Sequence, residues 1–369
     1  MSLLRNVEGA LLLVSISYFT LPSSVWEELA RFALPIDMAT VLLGVTSLII
    51  LRWFNDFFVK KLDYCHQFQA TSKYSQKNLG GKHLNRAVGD VPPPYPNGWY
   101  RVLDIVDLPK GFREPKPVQF CGQHLAVFRG EDGKVRALDA YCPHLGANLG
   151  VMGKVEGNCI TCPFHGWCFD GDNGECVSVP YAAKPPRASV RTWHVIEANS
   201  LILVWYDAEG GAPTWQPVID DRCQTGWCVF TFHGRTEEYV SCHIQEIPEN
   251  GADVAHLQVM KSYLIFVGAS PSIHHSYKSF AHGWTAAWQP GKDEDKHIGF
   301  MQLTECFELF GKTIPGTMVH VSVRQVGPGL VHLEFETPIG RALIIECVTP
   351  IGPLMQRMCH VVHASWSIP

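Results

Sequence analysis

Two short runs hold the side chains best suited to chemistry, Cys142-Pro143-His144 and Cys162-Pro163-Phe164-His165. Two thiolates and two imidazoles, split between two loops, can hold a [2Fe-2S] cluster, one iron by sulfur and the other by nitrogen. Two neutral ligands in place of two anions raise the reduction potential, so such a site passes single electrons. The same residue types also make a structural zinc site. Zinc fingers usually pair Cys with Cys and His with His, whereas each loop here supplies one of each. Gly146, Gly150, Gly166 and Gly171 are expected to let backbone N–H groups approach the sulfides, and Pro143 and Pro163 to stiffen the tips. A second run, Gln245 to Leu257, places Asp253 three residues before His256, on one face if Ala252 onward is helical. In isolation that spacing is more often a surface ion pair.

The elements that must position these groups are mostly strands. From Trp99 to Tyr206, short apolar runs separated by Gly, Pro and Asp predict a small antiparallel barrel or sandwich, with a hairpin turn at Asp132-Gly133. Further strands are expected at Trp227–Ser241, Gly283–Gln289, Gly299–Phe310, Thr317–Gln325, Leu330–Glu336 and Ala342–Val348. Val319, Val321 and Val323 share one face, as do Leu333 and Phe335 in the next strand, so the sheet should wall an apolar pocket. Trp193, Trp205, Trp284 and Trp288 are expected in the core.

At 369 residues the chain exceeds one such module, which needs about a hundred. A net charge of -5 without a basic stripe argues against a nucleic-acid partner. Thirteen cysteines without paired spacing, in so long a chain, do not form a secreted disulfide framework. Near the N-terminus the apolar run from about 34 to 54, with Arg52 near its end and Lys60 and Lys61 after it, predicts a transmembrane segment with its C-terminal side in the cytosol. The expected organisation is a membrane anchor (1–60), a linker (61–97), the cluster domain (98–210) and a catalytic, sterol-binding domain (211–369).

The run CPHLGAN with CPFHGWCFDGDNGEC resembles the Rieske domains of oxygenases. Respiratory Rieske proteins carry further cysteines and hydroxyl donors where this chain has Ala147, Phe164, Trp167 and Phe169. From Val91 onward, VPPPYPNGWYRVLDI, EIPENGADVAHL, RQVGPGLVHLEFE and CVTP resemble the Neverland-type cholesterol 7-desaturases, membrane-anchored Rieske non-haem iron oxygenases. The resemblance implies an α+β, mostly β fold, with a Rieske domain followed by a helix-grip-type antiparallel sheet whose C-terminal helix is expected to be truncated here. It implies conversion of cholesterol to 7-dehydrocholesterol with O2 and NAD(P)H-derived electrons, supplied by a flavin reductase or ferredoxin-type donor.

On that resemblance, Cys142, His144, Cys162 and His165 hold the cluster, His256 is the first ligand of a mononuclear Fe(II), and Asp253 bridges cluster and iron between neighbouring subunits of a homotrimer. The body faces the cytosol from the endoplasmic reticulum membrane. The chain departs from the family pattern at Lys261, which stands in the slot of the second iron-binding His, and no carboxylate follows CVTP to serve as the third ligand. Glu336 and Glu346 are weak replacements on strands; His274 and His275 are the nearest imidazoles. The alternative is therefore a catalytically impaired isoform that keeps its cluster as an electron carrier or partner subunit.

Overall fold

The computed structural model describes residues 38–54, 62–65, 92–220, 223, 230–254, 280–310 and 312–365. The chain divides into two compact units, Met1–Lys60 with Pro369, and Lys61–Ile368. In the first, helix α1 (Met38–Phe54) is apolar along its length, with Leu48, Ile49, Ile50 and Leu51 all more than half exposed and Arg52 in its last turn. At 17 residues it is three short of an ideal span, and no helix among the described residues is long and apolar enough to cross a membrane. Residues 34–37 of the expected span lie outside the described ones.

In the second unit, strand β1 (Leu62–Cys65), inside the stretch read as a linker, pairs in parallel with a strand of the large sheet. The antiparallel strands expected between Trp99 and Tyr206 are present. They are β2 (Gly98–Asp104), β3 (Lys116–Phe120), β4 (Gln123–Arg129), β5 (Val135–Asp139), β6 (Lys154–Glu156), β7 (Cys159–Thr161), β8 (Cys168–Asp170), β9 (Cys176–Ser178), β10 (Thr192–Trp193), β11 (Val195–Ala198) and β12 (Leu201–Tyr206). They form three small sheets, β10-β5-β4-β3, β11-β12-β2 and β6-β7-β8-β9. Asp132-Gly133 makes the β4–β5 turn, where the Gly130 N–H donates to the Lys134 carbonyl at 3.0 Å.

The large sheet uses β13 (Phe230–Val240), β14 (Phe280–Pro290), β15 (Ile298–Leu309), β16 (Lys312–Thr313), β17 (Val319–Val326), β18 (Leu330–Thr337), β19 (Gly340–Gly352) and β20 (Met355–Ser365). Its order is β1-β13-β20-β19-β18-β17-β15-β14, with β16 on β15. The segment after CVTP is thus a central strand. Cys359, Val361 and His363 are buried on alternate positions while Met358, His360 and Val362 are not. Both faces of the sheet are used. Leu343, Ile345, Cys347, Cys359 and Val361 pack against Trp99, Leu203 and Trp205 of the small sheets. On the opposite face Leu303, Val321 and Val323 gather with Leu333 and Phe335, the alternation expected from sequence. Across that face lies helix α2 (Glu246–Ala252), with Pro248 tolerated in its first turn. Ile244 and Ile247 at its N-terminal end pack near Val348.

A buried ion network ties the small sheets to the large one. Arg101 of β2 holds Asp104 at 2.6 Å and Glu237 of β13 at 3.3 Å. Arg235 of β13 pairs with the other oxygen of Asp104, and Arg357 of β20 donates to the Val102 carbonyl at 3.2 Å. Burial alone would raise the Asp104 carboxyl, but hydrogen bonds and charge from Arg101 and Arg235 outweigh it and hold the group below its ordinary value.

Candidate metal centre

The two cysteine-bearing loops fold alike. In the first, the Cys142 N–H donates to the Ala147 carbonyl at 2.9 Å and the Gly146 N–H returns to the Cys142 carbonyl at 2.9 Å. In the second, the Cys162 N–H donates to the Trp167 carbonyl at 2.8 Å and the Gly166 N–H to the Cys162 carbonyl at 3.1 Å. Both turns close on a left-handed residue, Gly146 (φ 73°) and Gly166 (φ 69°), a conformation that glycine adopts without strain. The other two glycines serve packing instead, since a side chain on Gly150 would overlap Pro117 and one on Gly171 would overlap Arg136 and Phe128.

The two φ-positive glycines differ in their surroundings, which gives a test. A Cβ on Gly146 meets nothing within 4 Å, whereas one on Gly166 stands 2.7 Å from Pro180 Cγ. Gly146→Ala is expected to cost about 1 kcal/mol from backbone conformation alone, and Gly166→Ala about 2–4 kcal/mol once the overlap adds to it. Denaturant midpoints of the two variants check the order.

This geometry brings all four side chains together. Cys142 and Cys162 are buried, and their thiols are within interaction distance of each other. The His144 and His165 rings lie 4.7 Å apart at 73°. Burial is the main cause that pushes the Cys142 thiol up to about 11; the His144 N–H donated to its sulfur acts the other way, and the adjacent Cys162 thiol pushes it up again. Nδ1 of His144 is buried without a hydrogen-bond partner, an arrangement that costs free energy unless the lone pair meets an electrophile. Each loop offers one thiol and one imidazole, and a diiron cluster of this kind is held by two thiolates on one iron and two imidazoles on the other. The residues present therefore fit a [2Fe-2S] cluster.

Sequence reasoning missed the support of this site. The Trp167 ring stacks flat on His144, 4.7 Å away at 5°, and its Nε1–H donates to the Tyr181 hydroxyl at 2.6 Å. Nothing in the spacing joins Trp167 to a histidine 23 positions earlier. Around the rings, Leu145, Phe164 and Tyr181 are each about two-thirds exposed, so the loop tips present an apolar surface.

Asp253 lies just beyond α2 rather than on it: the helix ends at Ala252, and the Asp253 N–H donates to the Glu249 carbonyl at 3.0 Å. His256, Lys261, His274 and His275 lie outside the described residues. Beneath α2 a cavity of about 120 Å³ is lined by Gly251 and Ala252 and, from the sheet, by Met301, Val323, Val331, Leu333 and Glu346. Trp288, expected in the core, is 45% exposed and also lines this cavity. Trp193 and Trp205 are buried as expected; nothing is described of the Trp284 side chain.

Residues 98–200 match the Rieske [2Fe-2S] domain family, and residues 204–366 match the 3-ketosteroid 9alpha-hydroxylase C-terminal domain family. The chain is 45% identical over 292 residues to cholesterol 7-desaturase nvd of Xenopus laevis, an alignment covering 77% of this chain and 63% of that protein. To the protein of the same name in Hemicentrotus pulcherrimus it is 39% identical over 345 residues, covering 90% and 72%. The chain thus spans less than two thirds of the frog relative. In fold it is similar to dicamba monooxygenase bound to 3,6-dichlorosalicylic acid, with TM-score 0.53, 20% identity, and 74% and 78% of the two chains covered.

Proposed function

Because the chain belongs to the cholesterol 7-desaturase family of Rieske oxygenases, we propose that it is a sterol desaturase that introduces the C7–C8 double bond into cholesterol. The observation that carries this reading is the meeting of the two loops, with the Cys142 and Cys162 thiols in interaction range, the His144 and His165 rings 4.7 Å apart and His144 Nδ1 buried without a hydrogen-bond partner, in a chain whose second half matches a steroid hydroxylase domain. When bound by those four side chains, a [2Fe-2S] cluster supplies electrons one at a time.

In this reading each residue has a physical task. Cys142 and Cys162 give up their thiol protons on cluster assembly, and the N–H groups of His144 and Leu145 compensate the charge left on the Cys142 sulfur. Trp167, fixed by Tyr181, holds the His144 ring plane. Asp253 and His256 form the bridge and the first ligand of a mononuclear Fe(II). The apolar face of the large sheet supplies the dry wall that a sterol requires.

Three further assignments belong to the same reading. The core beneath the cluster loops is built wholly from residues 126–190, so the exposed apolar tip carrying Leu145 and Phe164 is available to the catalytic region of a neighbouring copy, as in a homotrimer. Electrons come from NAD(P)H through a flavin reductase or ferredoxin-type donor, and O2 is the oxidant. The bare apolar α1 and Arg52 anchor the body at the cytosolic face of the endoplasmic reticulum membrane.

The test is incubation of reconstituted protein with cholesterol, O2, NAD(P)H and a reductase. The expected product is 7-dehydrocholesterol, made by protein carrying three irons per chain. A fully metallated preparation that gives no such product overturns the assignment. Two irons per chain would place the fault at the slot that Lys261 fills.

A further inference from the structure

A polar row crosses the apolar face of the large sheet. Cross-strand register puts Gln325 opposite Val331, Val331 opposite Glu346, Glu346 opposite His360 and His360 opposite Thr236. Gln325, Val331 and Glu346 line the cavity under α2, whose remaining walls are Ile247, Pro248, Met301, Val323, Leu333 and neighbours of the same character. Carboxylates are rarely placed against apolar walls, because removing one from water costs several kcal/mol unless a partner compensates. The partner here is built in: His360 Nε2 stands 3.7 Å from Glu346 Oε2, and His360 Nδ1 is 3.3 Å from the Thr236 hydroxyl.

We propose that Glu346, held by His360 and Thr236, is the polar anchor that receives the single hydroxyl group of the sterol. The proposal rests on the sterol reading above and deepens it. A sterol offers one hydroxyl on an otherwise apolar skeleton, and a pocket that orients it needs many apolar contacts and few polar groups placed to match. The pairing with His360 is through Oε2, and in the proposed complex the other carboxylate oxygen accepts a hydrogen bond from the sterol hydroxyl. The cavity's volume of about 120 Å³ is on the order of the ~150 Å³ that accommodates one benzene ring. It therefore suits the hydroxyl-bearing ring, while the rest of the skeleton extends outward. Gly251 and Ala252 line it immediately before Asp253, so an anchored ring is delivered next to the end of α2 that leads into Asp253. Interaction with the Glu346 carboxylate raises the His360 imidazole above its ordinary value, which strengthens the pairing.

Equilibrium binding of radiolabelled cholesterol to the detergent-solubilised full chain tests this, with cholest-5-ene, identical except for the missing hydroxyl, as comparison. Wild type is expected to bind cholesterol about 10- to 100-fold tighter than cholest-5-ene. Glu346→Ala should bind cholesterol as weakly as cholest-5-ene while its affinity for cholest-5-ene is unchanged. Glu346→Gln, which keeps an acceptor, should recover part of the preference, and His360→Gln should lose part of it. An unchanged [2Fe-2S] EPR spectrum shows that each variant is folded. If wild type binds the two sterols alike, or Glu346→Ala weakens both equally, the anchor is overturned. Wild type that binds neither sterol overturns the sterol reading itself and the anchor with it.

Discussion

His144→Ala is expected to purify without the EPR signal of a reduced, nitrogen-ligated diiron cluster, while Leu145→Ala keeps it. The two residues are adjacent, yet their settings differ completely. His144 has a buried nitrogen with no hydrogen-bond partner and a ring stacked on Trp167 and in edge contact with His165. Leu145 is 66% exposed at the loop tip and gives the site only its backbone N–H. Removing the imidazole leaves one iron with a single protein ligand, and half-ligated clusters are not retained. Trp167→Phe separates positioning from ligation, because a phenyl ring can still stack but has no N–H for Tyr181. It should keep the cluster, with a shifted reduction potential and altered EPR g-values. A His144→Ala protein that retains a full-strength signal defeats the two-thiolate, two-imidazole assignment.

How much of this site was legible in the chain follows from how local each feature is. The two loops announced themselves because ligands, glycines and prolines fall within a few positions of one another. The strands from Phe280 to Thr337 were legible because Val, Leu and Phe alternate along them. Met355–Ser365 was not, since its inward residues include Cys359 and His363, which carry no strong hydropathy signal, and its order in the sheet is set by partners far away in sequence. Glu346 looked like a weak iron ligand, and nothing in the sequence joined it to His360. Their pairing exists only through the register of β19 on β20, which no spacing encodes. Asp253 stands outside α2, which ends at Ala252 and contains Asn250-Gly251, a dipeptide that favours turns, so the condition of a helix running on from Ala252 through Asp253 is not met. Tertiary packing of Ile244 and Ile247 overrides the turn tendency of that dipeptide.

The second large effect concerns the network that joins β2 to the large sheet, and it bears on stability. Asp104→Ala is expected to destabilise the chain by about 3–5 kcal/mol, because Arg101, buried to 3% exposure, is left without its nearest carboxylate and Arg235 loses the same partner. Glu131→Ala, which breaks an ion pair with Arg113 that is more than half exposed on both sides, should cost less than about 1 kcal/mol. Urea midpoints of the two variants test the contrast, and equal losses would show that the network contributes nothing beyond surface charge. The network also predicts a pH dependence. The folded-state pKa of Asp104 is depressed, so its contribution is fully present above the unfolded carboxylate value of about 4 and fades as pH falls through the lower folded-state value. Wild type should therefore lose stability with acid below about pH 4 more steeply than Asp104→Ala, bringing the two midpoints closer together. Midpoints that stay a constant distance apart down to pH 2 would mean that Asp104 is not the group whose protonation loosens β2 from the sheet.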